Sequence, residues 1–197
     1  MPATKINNRK DFLLLLLYSP GVTGEFNEPI VGRTRLVKML FLFKEEALEH
    51  FRRGTDVNEN NFYEFFAWDF GPFSTQVYDD ITFFMMQGFI ESTLTEEESL
   101  PESAAEWERW LEKTGVRETV DTVEIYQEES FKLTPKGMKF TEGLYDSLSS
   151  SQQELLKNFK ARLSTVPLRA ILKHVYTNYV DMTSHSKIKN DILRNHL

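Results

Sequence analysis

The chain has no cysteine, which excludes disulfides and thiolate metal sites and fits a reducing compartment. Histidine is scarce as well. His50, His174, His185 and His196 show no HxxxH or HExxH spacing, which argues against a histidine metal site. The apolar run at 12–18 (FLLLLLY) falls far short of the ~20 residues needed to span a bilayer. It follows Lys5, Arg9 and Lys10 as a signal peptide would. Asp11 at its edge and the lack of a small-residue cleavage site nevertheless make it a buried first helix. The expectation is a soluble, cytoplasmic protein. Internal repeats and low-complexity segments are also missing, and no cofactor is implied.

What is present suffices for a core: 41% of the 197 residues are hydrophobic. The net charge of −7 is unevenly spread. Residues 91–130 carry 13 acidic and 3 basic side chains, whereas 131–197 carry 11 basic and 5 acidic.

Apolar periodicity predicts helices over 8–18 and over 32–53. In the second, Leu36, Leu40, Phe43, Ala47 and Phe51 form the stripe, with Arg33, Arg35, Lys38 and Lys44 largely off it. The aromatic run 62–68 reads as a strand or an extended segment. Strands at 89–92 and 130–133 should pair around an acidic insertion at 95–121 that contains Trp107 and Trp110. Thr134 and Pro135 then open a helix with the stripe Phe140, Leu144 and Leu148. Ser151 and Glu154 have capping-box spacing for the next helix, Pro167 opens another, and a last helix should span 184–195.

The central stretch is 62–91. Pro72 is expected in the first turn of a helix whose core side holds Phe73, Val77, Ile81, Phe84 and Met85, with Tyr78 at the margin. The other side carries Thr75, Gln76, Asp79, Asp80, Thr82, Phe83 and Met86, without Lys or Arg. The order helix, helix, strand, helix, strand, strand, helix is that of a winged helix-turn-helix. The expected fold class is therefore mainly α with a small β wing (α+β): a winged-helix domain over 1–148 and a C-terminal helical extension over 149–197.

Four pieces, GRTRLVKMLFLF (32–43), FGPFSTQVYDDITFFMMQGFI (70–90), FKLTPKGMKF (131–140) and VYTNYVDMTSHSKI (175–188), resemble bacterial and archaeal winged-helix proteins of the YwgA type. More distantly they resemble the SocA-like, or Panacea, antitoxin domain. That resemblance implies action by gripping another protein, a toxin or a client, rather than by catalysis. The acidic insertion and the additional C-terminal helices depart from the pattern.

Enzymatic readings find little support. Arg169 and His174 have the spacing of HEPN-type ribonucleases, but such a pair is expected by chance in a chain of this composition. Asp69-Phe70-Gly71 matches the kinase metal-binding tripeptide without its companion motifs. Glu45, Glu46 and Glu49 have no candidate nucleophile beside them. The expectation is a non-catalytic regulator, antitoxin-like or adaptor, that binds another protein, or itself as a homodimer, through Gln76, Asp79, Asp80, Phe83 and Met86. The alternative is a transcriptional regulator. Because acids on the recognition helix and the wing would repel phosphates, it would contact DNA through Lys157, Lys160, Arg162, Arg169, Lys173 and Lys187.

Overall fold

The computed structural model describes residues 6, 8–53, 57, 59–95 and 128–193. All but the first residue of the acidic insertion, with Trp107 and Trp110, lies outside them. The protein is mainly helical with a small antiparallel sheet.

Helix α1 (Arg9–Tyr18) starts at Asn8, which forms a reciprocal capping box with Asp11. Every residue from Phe12 to Tyr18 is buried. A helix apolar all round belongs inside, and α1 is the central rod of the core. After β1 (Ile30–Val31), α2 (Arg33–Leu42) passes through a π-helical turn (Phe43–Ala47) into α3 (Leu48–Phe51), as the long helical periodicity predicts.

In the aromatic run 62–68 the strand expected from sequence is present at 66–68, and the departure comes at Pro72. β2 (Phe66–Trp68) pairs with β3 (Gly71–Phe73) in a hairpin whose two-residue turn is Asp69-Phe70. Gly71 follows the turn at φ 81°, the left-handed region open to glycine. Pro72 therefore lies in a strand, not in a helix. Its partner is Ala67, one step from the pair closing the turn, so the missing N–H faces the outer edge and removes no ladder bond. Helix α4 (Thr75–Met86) begins only after Ser74.

β4 (Ile90–Thr95) runs antiparallel to β5 (Glu128–Leu133), from Ile90 opposite Leu133 to Thr95 opposite Glu128, which bears out the pairing read from sequence. β1 adds to the other edge of β5, giving the order β1-β5-β4. Ile30, Ile90, Phe131 and Leu133 turn into the core.

Thr134 caps α5 (Pro135–Asp146) by accepting from the Gly137 amide, and its hydroxyl donates to the Gly88 carbonyl at 2.7 Å. The buried face of α5 is Gly137, Thr141 and Tyr145, so Phe140 is exposed, contrary to the expected stripe. The cause is the close approach of Gly137 to the Phe89 backbone, which rotates the helix. A Cβ on Gly137 would lie 2.1 Å from the Phe89 carbonyl oxygen. Helix α6 (Ser150–Thr165) is capped by Ser149 with Gln152, two residues earlier than the Ser151 and Glu154 pair suggested. Extended backbone at Ser149 lets the helix begin at Ser150. α7 (Leu168–Asn178), a 3-10 turn (Val180–Thr183) and α8 (Lys189–Leu193) complete the described chain. The last helix begins at Lys189 and not at 184, because the turn before it binds Ser186 and Lys187 to the Asp69 carbonyl. Leu156, Phe159, Leu163, Ile171, Leu172 and Val175 join the same core as α1.

Gly137→Ala should lower unfolding stability by about 3 kcal/mol, since the obstructing atom is backbone and cannot swing aside. Denaturant titration checks this. Gly143→Ala on the same helix, with open space around its Cβ, should be neutral or slightly stabilising.

Candidate functional site at the exposed end of helix α4

Val77, Asp80, Ile81 and Phe84 form the buried face of α4. This face is rotated from the one periodicity suggests, because a carboxylate lies inside. Asp80 accepts from Arg9 Nε at 2.9 Å, and Lys10 Nζ approaches its other oxygen at 3.7 Å. Asp80 is thus not an interaction residue but the anchor of α4 on the start of α1. It also faces Tyr63, whose phenol is pushed well up, first by burial and then by this negative charge. The rotation turns Met85 outward, correcting its expected core position.

Of the remaining candidates, Gln76 is half-buried and accepts from the Glu64 amide at 3.0 Å, so it positions the chain before the hairpin. Asp79 is exposed. Phe83 and Met86 are exposed by 43% and 80%, as expected for a surface, and Met85 by 36%. Lys10 Nζ stands 4.1 Å from the centroid of Phe83. The Phe83, Phe84, Phe89 and Phe140 rings follow one another at centroid spacings of 5.3, 5.8 and 5.4 Å, with Phe140 half exposed at the far end. Lys136 lies 4.5 Å over Phe89 and donates to the Gln87 carbonyl. The result is an apolar surface of Phe83, Met85, Met86 and Phe140 with lysines at its margin. Among the described residues, helices α6 to α8 leave it uncovered.

Of the six basic residues read as a nucleic-acid surface, one is buried and two stand in ion pairs. Lys160 is fully buried. Its ammonium donates to the Leu17 and Ser19 carbonyls at 2.6 and 2.8 Å, closing the C-terminal end of α1. Arg162 approaches Glu46 at 3.5 Å, and Lys187 pairs with Asp69. Lys157 and Lys173 are exposed, and Arg169 is half-buried. His174 also meets Glu46 and bonds Asn178, while the Tyr179 hydroxyl donates to Glu46 at 3.2 Å. Burial, and then the Glu46 charge, push Tyr179 to about 12. This cluster ties α6 and α7 to the π-helical turn. No group of three His, Asp or Glu among the described residues is placed to hold a metal ion, and no described helix is long and apolar enough to cross a membrane.

Sequence reasoning missed Lys38. It is 3% exposed, and its ammonium donates to the carbonyls of Phe70 and Pro72, both at 2.7 Å. The signal was its setting inside the run LVKMLFLF. Lys160 likewise stands four residues after Leu156 and three before Leu163, on the buried stripe. On the opposite side of the hairpin turn, the Lys187 amide and Ser186 hydroxyl donate to the Asp69 carbonyl, and Tyr176 packs where a Gly71 side chain would be. Comparison with protein families, curated proteins and solved structures finds no match to this chain.

Lys160→Ala should lower stability by about 2–4 kcal/mol, since it orphans two buried carbonyls. Lys157→Ala should leave it unchanged. Burial pushes both Lys38 and Lys160 down to about 7, with Glu28 partly opposing this at Lys160. Between about pH 7 and the ordinary lysine value of 10.5, the unfolded chain therefore holds protons that the native state has released. Stability should rise with pH through that window. Above about pH 10 the sign reverses, because unfolded tyrosines ionise while Tyr176 and Tyr179, pushed to about 12, do not. Urea denaturation across pH should therefore show a maximum on the alkaline side of neutrality. A maximum near pH 6 would contradict this account.

Proposed function

We propose that the protein is a cytoplasmic, non-catalytic regulator of winged-helix type, antitoxin-like or adaptor, that grips another protein with the exposed end of α4. The observation that carries this reading is the contiguous exposure of Phe83, Met85 and Met86, extended by Phe140. Large apolar groups gathered at one helix end outside the core are a common mark of an interface. Lys10 and Lys136 at the margin, with exposed Lys139 on α5, favour a partner with acidic groups around an apolar centre.

The winged-helix reading draws support from the element order. α1, β1, α2 and α4 precede a β4-β5 hairpin to which β1 adds a third strand, and α4 stands in the recognition position. The likeness to the YwgA-type and Panacea proteins rests mainly on the aromatic-Gly-Pro turn and the 175–188 tail. These two pieces touch through Gly71 and Tyr176, and Ser186 of the tail bonds Asp69 immediately before the aromatic-Gly-Pro turn, which supports reading them as one motif.

Phe83→Ser combined with Met86→Ser should leave the melting temperature nearly unchanged, since surface changes usually cost within about 0.5 kcal/mol. Association with the partner, or with a second copy, should weaken by about 2 kcal/mol or more, the usual effect of losing an apolar anchor. Ile81→Ala, on the buried side of the helix, should instead destabilise by about 2–5 kcal/mol. Wild type and variant are compared by affinity capture and sedimentation. Capture that survives the double substitution would remove α4 as the interface. Salt-sensitive duplex binding that falls on replacing Lys157 and Lys173 would promote transcriptional regulation in its place.

A further inference from the structure

A pocket of about 230 Å³ opens between α2, the β2-β3 hairpin and α4, away from the apolar end of α4. Trp68, Phe73 and Tyr78 form its walls, Thr34 and Val37 line it from α2, and Lys38 contributes its buried side chain. Trp68 is 52% exposed at the rim, its ring 6.2 Å from that of Phe73, which in turn lies 5.1 Å from Tyr78.

The anomaly is Lys38. A buried ammonium normally meets a carboxylate, because desolvating a charge costs several kcal/mol unless it is paired. The two carbonyls of the hairpin take two of its three donors. No carboxylate among the described residues pairs with it. Asp69, the acid of the adjoining turn, is held by Lys187. Lys160, clamped in the same way, has the charge of Glu28 in its favour, whereas burial alone acts on Lys38. The pocket thus joins an uncompensated cation to an aromatic wall.

We propose that this pocket binds a carboxylate carried on a single aromatic ring, with Lys38 supplying the counter-charge and Trp68, Phe73 and Tyr78 enclosing the ring. Size sets the limit. A protein cavity of about 150 Å³ accommodates benzene. The space therefore encloses one ring with a carboxylate and is too small to enclose a whole nucleotide, dinucleotide or haem. Charge excludes the opposite class: an aromatic box attracts ammonium groups, but here the buried lysine repels them. The carboxylate has two natural sources, a free aryl acid or the C-terminal phenylalanine of a peptide chain, and both present the same chemistry.

The experiment is calorimetric titration of the full chain, at a pH about one unit below the value of about 7 to which burial lowers Lys38 so that its side chain is charged, with phenylacetate, phenylacetamide, phenethylamine, Gly-Gly-Phe and the amide of Gly-Gly-Phe. Phenylacetate, Gly-Gly-Phe or both should bind saturably. The matching amides should bind about tenfold more weakly or worse, because a charge-assisted bond is lost, and the amine should not bind. Tighter binding of the peptide than of phenylacetate assigns the chain-end source, and the reverse order assigns the free acid. Lys38→Met releases the hairpin carbonyls and can fail to fold, so the acid and amide comparison on wild type carries the charge test. Trp68→Ala at the exposed rim, and Thr34→Phe to fill the space, should each weaken binding about tenfold or more with the melting temperature kept. Equal affinity for acid, amide and amine, indifference to Trp68→Ala, or no saturable binding of either carboxylate would each overturn the proposal.

Discussion

The grip of Lys38 on the Asp69-Phe70 turn is the constraint from which the arrangement around the surface follows. A two-residue hairpin turn leaves carbonyls pointing away from its own ladder, and the Pro72 carbonyl lies on the outer edge. Buried without partners, each would cost about 1–3 kcal/mol. Lys38 satisfies two from α2, and the tail satisfies a third through the Lys187 amide and the Ser186 hydroxyl. The hairpin is therefore fixed from both sides. Since α4 starts one residue after β3, its entry angle is fixed as well.

The second constraint is the Asp80 carboxylate. Inserting a charge on the inner face of α4 is tolerable only because Arg9 and Lys10 reach it from the start of α1. That choice rotates the helix, and the rotation leaves Phe83, Met85 and Met86 outside. The apolar surface and the buried ion pair are two consequences of one orientation. Lys10 links them directly, its ammonium lying 3.7 Å from the Asp80 carboxylate and 4.1 Å from the centroid of the Phe83 ring.

How much of this was legible depends on the kind of signal. The α1 rod, the long second helix, the β4-β5 pairing and the Thr134 cap follow from periodicity and local chemistry, and each is present. Exposure of Phe83 and Met86 could be read because both lie opposite Ile81 and Val77. What escaped was long-range. Asp80 looks solvent-facing until Arg9, 71 positions earlier, is known to meet it. Pro72 looks like a helix start because Pro at that position is favoured; only the register with Ala67 shows that a strand edge suits it equally. The Phe140 face was misplaced because Gly137 buries no side chain, so periodicity gives it no weight, yet its contact with Phe89 sets the rotation of α5.

The lysines show why charge counted along a chain is a poor guide to charge on a surface. Both buried lysines are places where arginine would fail. A guanidinium cannot lose its proton in a protein, whereas an ammonium pushed to about 7 by burial can share its donors with carbonyls and shed part of its desolvation penalty by deprotonating. Lys160 therefore leaves the basic tally of the C-terminal segment altogether, while Lys187 and Arg162 are offset by Asp69 and Glu46. Part of the basic excess over 131–197 thus serves to hold that segment to the rest of the chain. Of the six candidates, Lys157 and Lys173 are exposed on separate helices and Arg169 is half-buried, and a nucleic-acid surface would have to be built from these, since each neutralised phosphate adds to affinity. A basic segment that partly serves as an internal fastening leaves the exposed apolar end of α4, with its lysine margin, as the surface on which the proposed partner binding is tested first.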